Sequence, residues 1–344
     1  MPRGEITTVL GPLRATDLGL VLPHEHVFCD LTPFALRDPA IPDASIRLEN
    51  RHAVEYRPTA FKGNHRLDLR ETARAELAAF AAAGGGTIVD MTTRGIAPDP
   101  EGLAEVARAT GVHAILGAGF YTSDFVDPRT RERPVEWLAE KIEEQLSVGT
   151  FGTSIRCGLI GEVGCSWPLA EFERRSLVAA ARVQRRTDVA INVHPGRHPD
   201  APHEILDVLE RAGADPAKVA ISHVDRTYFD YPSIAALARR GCWIEFDFFG
   251  IETSNYWFGV ADLPTDWMRL RYVRQAMADG FGPRVLLSHD ICTRSRLMSF
   301  GGHGYAHLVA NVPGLMRDRG FTEAEIRGLM HDNPRRFLAG EEGT

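Results

Sequence analysis

The sequence predicts a single domain over residues 1–344, folded as a (β/α)8 TIM barrel, and three observations support this fold class. Eight short apolar runs recur along the chain, each bounded by turn residues. Within the runs apolar residues follow one another instead of alternating with polar ones, which is typical of parallel strands covered on both faces. Amphipathic stretches of helical period separate most of the runs, and eight such alternations favour a barrel over a doubly wound sheet.

The predicted strands are bounded mainly by glycine, proline and charged residues. In chain order they cover residues 20–28, 87–92, 113–120, 158–164, 189–194, 218–225, 242–249 and 284–291. None of them is followed by the Gly-x-Gly-x-x-Gly pattern of a dinucleotide-binding fold. The chemistry must therefore come from other residues.

The helices are predicted from the period of their apolar residues, with proline or acidic residues near several starts and glycine after several ends. They cover residues 69–83, 101–110, 134–146, 169–185, 202–212, 232–240 and 267–279, with a C-terminal pair around 305–319 and 323–331. Two connections, 29–65 and 292–304, are long and follow the first and last strands. Barrels build substrate sites from loops on that side of the strands.

Charge and composition exclude several classes of protein. The chain has 39 Lys+Arg against 46 Asp+Glu, a net charge of −7, and no basic block that would contact nucleic-acid phosphates. Its five cysteines are scattered without a Cys-x-x-Cys motif, which favours reduced thiols over disulfides. No apolar stretch approaches the roughly 18 residues of a membrane span, and no signal peptide is visible. We expect a cytoplasmic protein that binds neither nucleic acid nor membranes.

Metal-competent side chains lie at the predicted carboxyl ends of five strands. His24 and His26 are two residues apart, so they share one face of a strand, and Glu25 lies on the other. The remaining members are Glu162, His194, His223 and Asp290. The carboxyl ends of barrel strands meet at one rim, where such groups are costly to bury unless they have a partner. Imidazole and carboxylate ligands suit zinc or another divalent transition ion.

In combination these segments resemble the phosphotriesterase-like branch of the amidohydrolase superfamily. The matching segments are PHEHVF, LIGEVG, NVHPG, SHVDRT and LSHDI, with supporting matches at EFDFFGIE, GGHGY and DNPRRFL. Together they cover nearly the whole chain. Within the branch the sequence is most similar to the phosphotriesterase-related proteins, which have Glu where the best-known enzymes have a carboxylated Lys. The resemblance also implies a homodimer.

The resemblance implies a role for each ligand. His24, His26 and Asp290 would bind the more buried of two divalent ions, and His194 and His223 the more exposed one. Glu162 would bridge both ions together with a hydroxide, whose parent water has its pKa lowered from about 15.7 towards about 7. Asp290 would be the general base and proton shuttle. We expect two zinc ions, with Mn, Fe or Co as alternatives.

Two departures from the organophosphate hydrolases affect this interpretation. Because Glu162 replaces a lysine carbamate, assembly of the metal site should not require carbon dioxide. After His223 the chain continues with Asp225 and Arg226, where those hydrolases have consecutive acidic residues that relay the proton outwards. Arg226 cannot accept a proton, so the sequence does not assign the residues that would relay the proton beyond Asp290.

Several further residues follow the strands on the side where a substrate would bind. Arg226, Arg294 and Arg296 follow strands 6 and 8, where each either clamps a carboxylate, sulfonate or phosphate or pairs with surface groups.

Aromatic residues and one histidine offer further candidates on the same side of the barrel. Tyr121, Tyr228, Tyr256 and Trp257 either wall a pocket or pack loops. His303 in GGHGY either reaches the mouth of the site or binds the backbone of a turn.

The leading hypothesis is a binuclear metal-dependent hydrolase of a small ester, lactone or amide that carries an anionic group. Any phosphotriesterase activity is expected to be promiscuous. One alternative is a mononuclear deaminase of the same superfamily, but such a site has no strand-4 bridge like Glu162. The other is a non-catalytic, metal-stabilised binding protein, although all six ligands are present. We expect a small-molecule substrate as the partner of the enzyme.

Overall fold

A computed structural model describes residues 4–32, 45–57, 60–256 and 262–340. The strands, in chain order, are β1 (Glu5–Thr8), β2 (Gly11–Arg14), β3 (Leu20–Glu25), β4 (Cys29–Asp30), β5 (Arg66–Leu67), β6 (Gly85–Asp90), β7 (His113–Ala118), β8 (Leu159–Gly164), β9 (Ile191–His194), β10 (Val219–Ile221), β11 (Trp243–Phe246) and β12 (Val285–Leu287). Eight of them form one parallel sheet in the order β3-β6-β7-β8-β9-β10-β11-β12. Strands that follow one another in this list are also neighbours in the chain, apart from the short β4 and β5.

The two edge strands of this sheet, β3 and β12, are joined just where their residues reach the site. The backbone N–H of His24 donates to Oγ of Ser288 at 3.1 Å, and the N–H of Asp290 donates to the carbonyl of His24 at 3.2 Å. The sheet is thereby nearly closed into a barrel. With helices between successive strands, the predicted (β/α)8 fold class is confirmed.

All eight predicted strands are present, but several end earlier than the sequence pattern predicts. The predicted strands 218–225 and 284–291 end at Ile221 and Leu287. Beyond them His223 and Asp290 adopt left-handed backbone conformations, with φ of 55° and 50°. Such a conformation ends the regular hydrogen-bond ladder of the strand. It is uncommon for residues other than glycine, and the residues that adopt it are often found at functional sites.

The helices surround the sheet and follow the predicted ranges closely. They are α1 (Arg51–Tyr56), α2 (Arg70–Ala82), α3 (Pro100–Thr110), α4 (Pro128–Arg131), α5 (Val135–Ser147), α6 (Glu171–Thr187), α7 (Ala201–Arg211), α8 (Val224–Thr227), α9 (Tyr231–Ala238), α10 (Asp266–Ala278), α11 (His307–Ala310), α12 (Val312–Asp318), α13 (Glu323–Arg327) and α14 (Asn333–Ala339). In α3, Asp99 caps the first turn by accepting the N–H of Gly102 at 2.8 Å. Gly111 ends the same helix with φ of 74°, as predicted from the sequence.

The predicted helix 305–319 is wrong in one respect, because it is two helices, α11 and α12. Pro313 lies in the first turn of α12, where its missing N–H costs nothing, whereas inside a longer helix it would break the hydrogen-bond ladder. After α13 the chain makes a π-helical turn over Gly328–Asp332 and enters α14.

An antiparallel hairpin, β1–β2, was not predicted and lies at the amino end of the barrel. The N–H of Val9 donates to the carbonyl of Ala114 at the start of β7, at 2.9 Å. The opposite end of the barrel is left for the loops that follow the strands. Among the described residues, no helix is both long and apolar enough to cross a lipid bilayer.

Candidate metal centre and active site

The six side chains predicted as metal ligands come together at the carboxyl end of the barrel. Five of them are at most 6% exposed, and His194 is partly buried. Each is positioned by the end of a different element, apart from His24, which lies in β3, and His26, which directly follows that strand. The set is His24, His26, Glu162, His194, His223 and Asp290.

Four of these side chains enclose a space of the size that a divalent ion needs. Nε2 of His26 lies 3.3 Å from Oδ1 of Asp290 and 3.5 Å from Oε2 of Glu162, and Nε2 of His24 lies 3.8 Å from the same Glu162 oxygen. In a tetrahedral site with bonds of about 2.0–2.1 Å, neighbouring ligand atoms are about 3.3–3.4 Å apart. Nε2 of His24 and Oε2 of Glu162 are buried and have no hydrogen-bond partner in the part of the chain that the structure describes. A cation between them would remove that cost, so the residues fit a metal.

The other oxygen of Glu162 faces the second group of ligands. Nε2 of His223 lies 3.2 Å from Oε1 of Glu162 and 2.9 Å from Nδ1 of His194. Nδ1 of His194 also contacts Oε1 of Glu162. Glu162 therefore presents one carboxylate oxygen to each group, which is the arrangement that a carboxylate bridge between two ions requires.

Three of the imidazoles are oriented by acceptors on their outer sides. Nδ1 of His24 lies 3.0 Å from Oε2 of Glu245, and Nδ1 of His26 lies 2.9 Å from Oγ1 of Thr92. Nδ1 of His223 lies 2.8 Å from Oδ1 of Asp247. A hydrogen bond at Nδ1 directs the lone pair of Nε2 inwards, as is usual for metal-binding histidines.

No role was predicted for Glu245 or Asp247, whose segment was only a supporting match to the family. The signal was present, because two acidic residues two apart in an apolar, buried strand lie on the same face of that strand. Both are fully buried. The same reasoning that paired His24 with His26 would have found them.

Glu25 lies on the outer face of β3 and holds the segment that carries Asp290. Its Oε1 accepts hydrogen bonds from Oγ of Ser288 at 2.8 Å and from the N–H and Nδ1 of His289, at 2.9 and 2.7 Å. Its Oε2 accepts the N–H of Ile291 at 2.9 Å. Glu25 thus anchors the chain on both sides of Asp290, and the His289 ring is held on the side of Glu25, away from the ligand cluster.

The two central carboxyl groups are ionised at neutral pH, which favours cation binding. Burial acts to raise the pKa of Glu162, but its contacts with His194, His223 and His24 outweigh burial and leave the pKa well below its usual value. For Asp290, burial is likewise outweighed, by the hydrogen bond to His26 and by nearby imidazoles, and the pKa is lowered to about 2. Both are therefore carboxylates at neutral pH.

A cavity of about 750 Å³ opens above the ligand cluster. Its floor includes Glu162, His194 and Asp290. Its walls are aromatic and cationic, and they include Tyr121, Phe125, Trp167, Tyr256, Arg57, Arg197 and Arg226. A small organic molecule in this cavity would lie directly against the ligand cluster.

Three of the residues considered as substrate-facing line this cavity. The hydroxyl of Tyr121 lies 3.5 Å from Nδ1 of His194, and Tyr256 forms another part of the cavity wall. Nη2 of Arg226 donates to Nε2 of His194 at 3.1 Å and to the carbonyl of Pro195 at 2.9 Å.

Other candidates point elsewhere and do not line the cavity. The hydroxyl of Tyr228 donates to the carbonyl of Pro199, and Arg294 binds Asp68 and the carbonyl of Arg66. These hydrogen bonds hold both side chains away from the ligand cluster.

Arg296 and His303 line a separate cavity of about 430 Å³. Arg296 donates to the hydroxyl of Tyr256 at 2.9 Å and to the carbonyl of Asp290, so it packs behind the site. Trp257 lies outside the described residues.

Asp225 also turns away from the cavity. Its Oδ2 accepts Nε of Arg269 at 2.8 Å and the N–H of Phe248 at 3.1 Å, and Arg269 bridges on to Asp266 at 2.8 Å. Arg226, not Asp225, is the residue of this segment that lines the cavity. This buried charge network was not predicted from the sequence.

Several known proteins are similar to this chain in sequence or in fold. A model of the phosphotriesterase family matches residues 4–338. An N-acetyltaurine hydrolase of Rattus norvegicus is 40% identical over 341 residues, which cover 97% of this chain and 98% of that protein. The crystal structure of a resiniferatoxin-binding protein from Rhodobacter sphaeroides has a TM-score of 0.92 at 35% identity, covering 99% of this chain and 97% of that one. A lactonase from Listeria monocytogenes shares the fold, with a TM-score of 0.79 at 21% identity over 98% of this chain and 100% of that one.

Proposed function

The chain belongs to the phosphotriesterase family, and from that premise we propose that it is a binuclear metal-dependent amidohydrolase. Its substrates would be small N-acylated amines that carry an acid group, with N-acetyltaurine as the first compound to test. The observation that carries the proposal is the division of the Glu162 carboxylate between two ligand groups at the floor of one cavity. The amide is favoured over an ester or lactone because a relative 40% identical over nearly its full length is named for amide hydrolysis.

Divalent cations held by these ligands would supply Lewis acidity and lower the pKa of a coordinated water. Glu162 and Asp290, ionised at neutral pH, would hold them with His24, His26, His194 and His223. Zinc is the first choice for such ligands, and Mn, Fe or Co are alternatives. Since Glu162 needs no carbamylation, assembly would be independent of bicarbonate.

Asp290 is the residue placed to move protons. It lines the cavity and carries one negative charge next to the cluster, so it would take a proton from the attacking water and pass it to the nitrogen of the leaving amine. Burial and the charges of Glu162 and Asp290 hold the pKa of the Tyr121 phenol well above its usual value. Tyr121 therefore stays protonated and would donate a hydrogen bond to the substrate.

The proposal is tested by elemental analysis of the purified protein together with a hydrolysis panel of N-acetyltaurine, lactones, carboxylic esters and phosphotriesters. We expect close to two ions per chain, activity on the amide that is lost on chelation, and recovery with metal alone in bicarbonate-free buffer. One ion per chain would redirect the interpretation to the deaminase chemistry. No bound metal after reconstitution would contradict the proposal.

Asp290→Asn separates an enzyme from a binding protein. The substitution keeps the size of the side chain but removes the base, so we expect kcat to fall by about 10²–10⁴-fold. The exposed Asp318, which is remote in sequence from the ligands, provides the matched control Asp318→Asn, expected to be unchanged. Equal turnover by D290N and D318N would exclude the role given to Asp290.

A further inference from the structure

The wall of the cavity is cationic although the protein is acidic. Among the residues that the structure describes, and apart from the predicted metal ligands and His65, the lining side chains with a formal charge are Arg57, Arg197, Arg226 and Asp124. Three positive charges thus face one negative charge, in a chain whose net charge is −7. Charge of one sign in a cleft attracts ligands of the other sign.

Arg226 is the most buried of these arginines, at 2% exposure. Its Nη2 is used by the carbonyl of Pro195 and by His194, but its Nη1 is buried and has no acceptor among the residues that the structure describes. Within the same residues no carboxylate pairs with it. A buried guanidinium without a counter-ion is unfavourable, and a bound anion would remove that penalty.

Arg197 adds a second positive charge beside Arg226. Burial and the charge of Arg226 lower the pKa of Arg197 to about 10, so it is still charged at neutral pH. Its guanidinium lies 5.6 Å from the centre of the Tyr256 ring, in the cavity wall. Neighbouring guanidinium groups offer several N–H donors to the oxygens of a carboxylate or sulfonate.

We propose that Arg226 and Arg197 bind the acid group of the substrate and are the residues that select anionic substrates. The inference rests on the proposed function and deepens it by assigning one end of the substrate to one side of the cavity. The acid group would lie on the side of His194, and the scissile carbonyl over Glu162.

The same geometry sets the length of substrate that fits. Nε2 of His194 meets Arg226, whereas Nδ1 of the same ring faces Glu162, so one imidazole ring separates the acid subsite from the cluster. We expect the two-carbon spacer of N-acetyltaurine to match this separation. We expect a one-carbon spacer to fall short and a longer one to fit less well.

The test compares Arg226→Gln with the wild type on N-acetyltaurine and on its neutral counterpart N-acetylethanolamine. We expect the ratio of kcat/KM, anionic over neutral, to fall by about 10- to 100-fold, the value of a hydrogen bond to a charged group. Arg294→Gln is the matched control, because Arg294 lies outside the cavity, and its ratio should equal that of the wild type. Arg226→Lys should recover part of the selectivity, because it restores the charge without the fork of donors.

Two further measurements keep the inference separate from the proposed function. The metal content of R226Q shows whether His194 still binds metal without its neighbour, and Arg197→Gln tests the same selectivity at a second arginine of the cavity wall. N-acetylglycine, N-acetyl-β-alanine and N-acetyl-4-aminobutyrate test the spacer and distinguish a carboxylate from a sulfonate. If the wild type hydrolyses no amide, the proposed function fails. If it does, and R226Q and R197Q lower kcat/KM equally for the anionic and the neutral substrate, the assignment of the acid subsite is wrong.

Discussion

Nδ1 of His223 lies 2.8 Å from Oδ1 of Asp247, and the backbone N–H of His223 donates to both oxygens of the same carboxylate, each at 3.1 Å. The two contacts hold both the imidazole and a backbone whose φ is 55°. Asp247 is therefore positioned to keep a strained residue in the orientation that directs Nε2 at Glu162.

Asp247→Asn should weaken metal binding without emptying the site. The amide keeps the size of the carboxylate but accepts through one oxygen only, so His223 loses part of its orientation. We expect metal affinity to fall by about 10- to 100-fold, measured by competition with a chelator of known affinity. Asp318→Asn serves again as the control, and an affinity for D247N equal to that of D318N would show that Asp247 does not position the ligand.

Glu162→Gln should abolish the second site. Glutamine removes the negative charge and leaves a single oxygen to serve both groups, so we expect the content to fall from about two ions per chain to one or none. Elemental analysis after dialysis measures this directly. Glu76→Gln is a control of equal burial, since Glu76 is 1% exposed and accepts hydrogen bonds from Met298 and Ser299 away from the cavity. Two ions retained in E162Q would refute the bridging role.

Arg269→Met should destabilise the fold strongly. Arg269 is fully buried between Asp225 and Asp266, with 2.8 Å contacts to both. Its removal leaves two buried carboxylates without their partner, so we expect a loss of about 3–5 kcal/mol in the free energy of unfolding. Denaturant titration measures the loss. The exposed Arg271 on the same helix gives the control Arg271→Met, expected to change stability by at most about 0.5 kcal/mol.

Asp266→Asn should lower the free energy of unfolding at neutral pH, and it should lower it by a smaller amount in acid. Burial raises the pKa of Asp266, but the hydrogen bond from His307 and the charge of Arg269 outweigh it, and the pKa is lowered. A carboxyl group with a lowered folded-state pKa contributes stability above its ordinary pKa of about 3.8 and loses that contribution as the pH falls through the folded value.

Denaturant titrations of the wild type and D266N at about pH 7, 5 and 3.5 test this dependence. The difference in unfolding free energy should be similar at the two higher values and smaller at the lowest. A difference that does not change over the whole range would mean that Asp266 contributes through packing and not through its charge.

The strand ends could be predicted because the signals there are local. Continuous apolar runs indicated eight buried strands, and the two-residue period placed His24 and His26 together with Glu25 opposite, as the structure shows. The hairpin β1–β2 was missed because its strands are only four residues long and carry no continuous apolar run. The break at Pro313 also has a local signal, because a proline interrupts the helical pattern there.

The sequence by itself determined the barrel and the order in which polar side chains follow its strands, since both depend on periods within a few residues. Only the tertiary structure decided where the residues beyond the strands point. Arg226 and Arg294 both follow strand ends, yet one lines the cavity beside His194 and the other pairs with Asp68. Their partners lie 32 and 226 residues away in the chain. The direction of a loop side chain depends on such distant contacts, which no local period encodes.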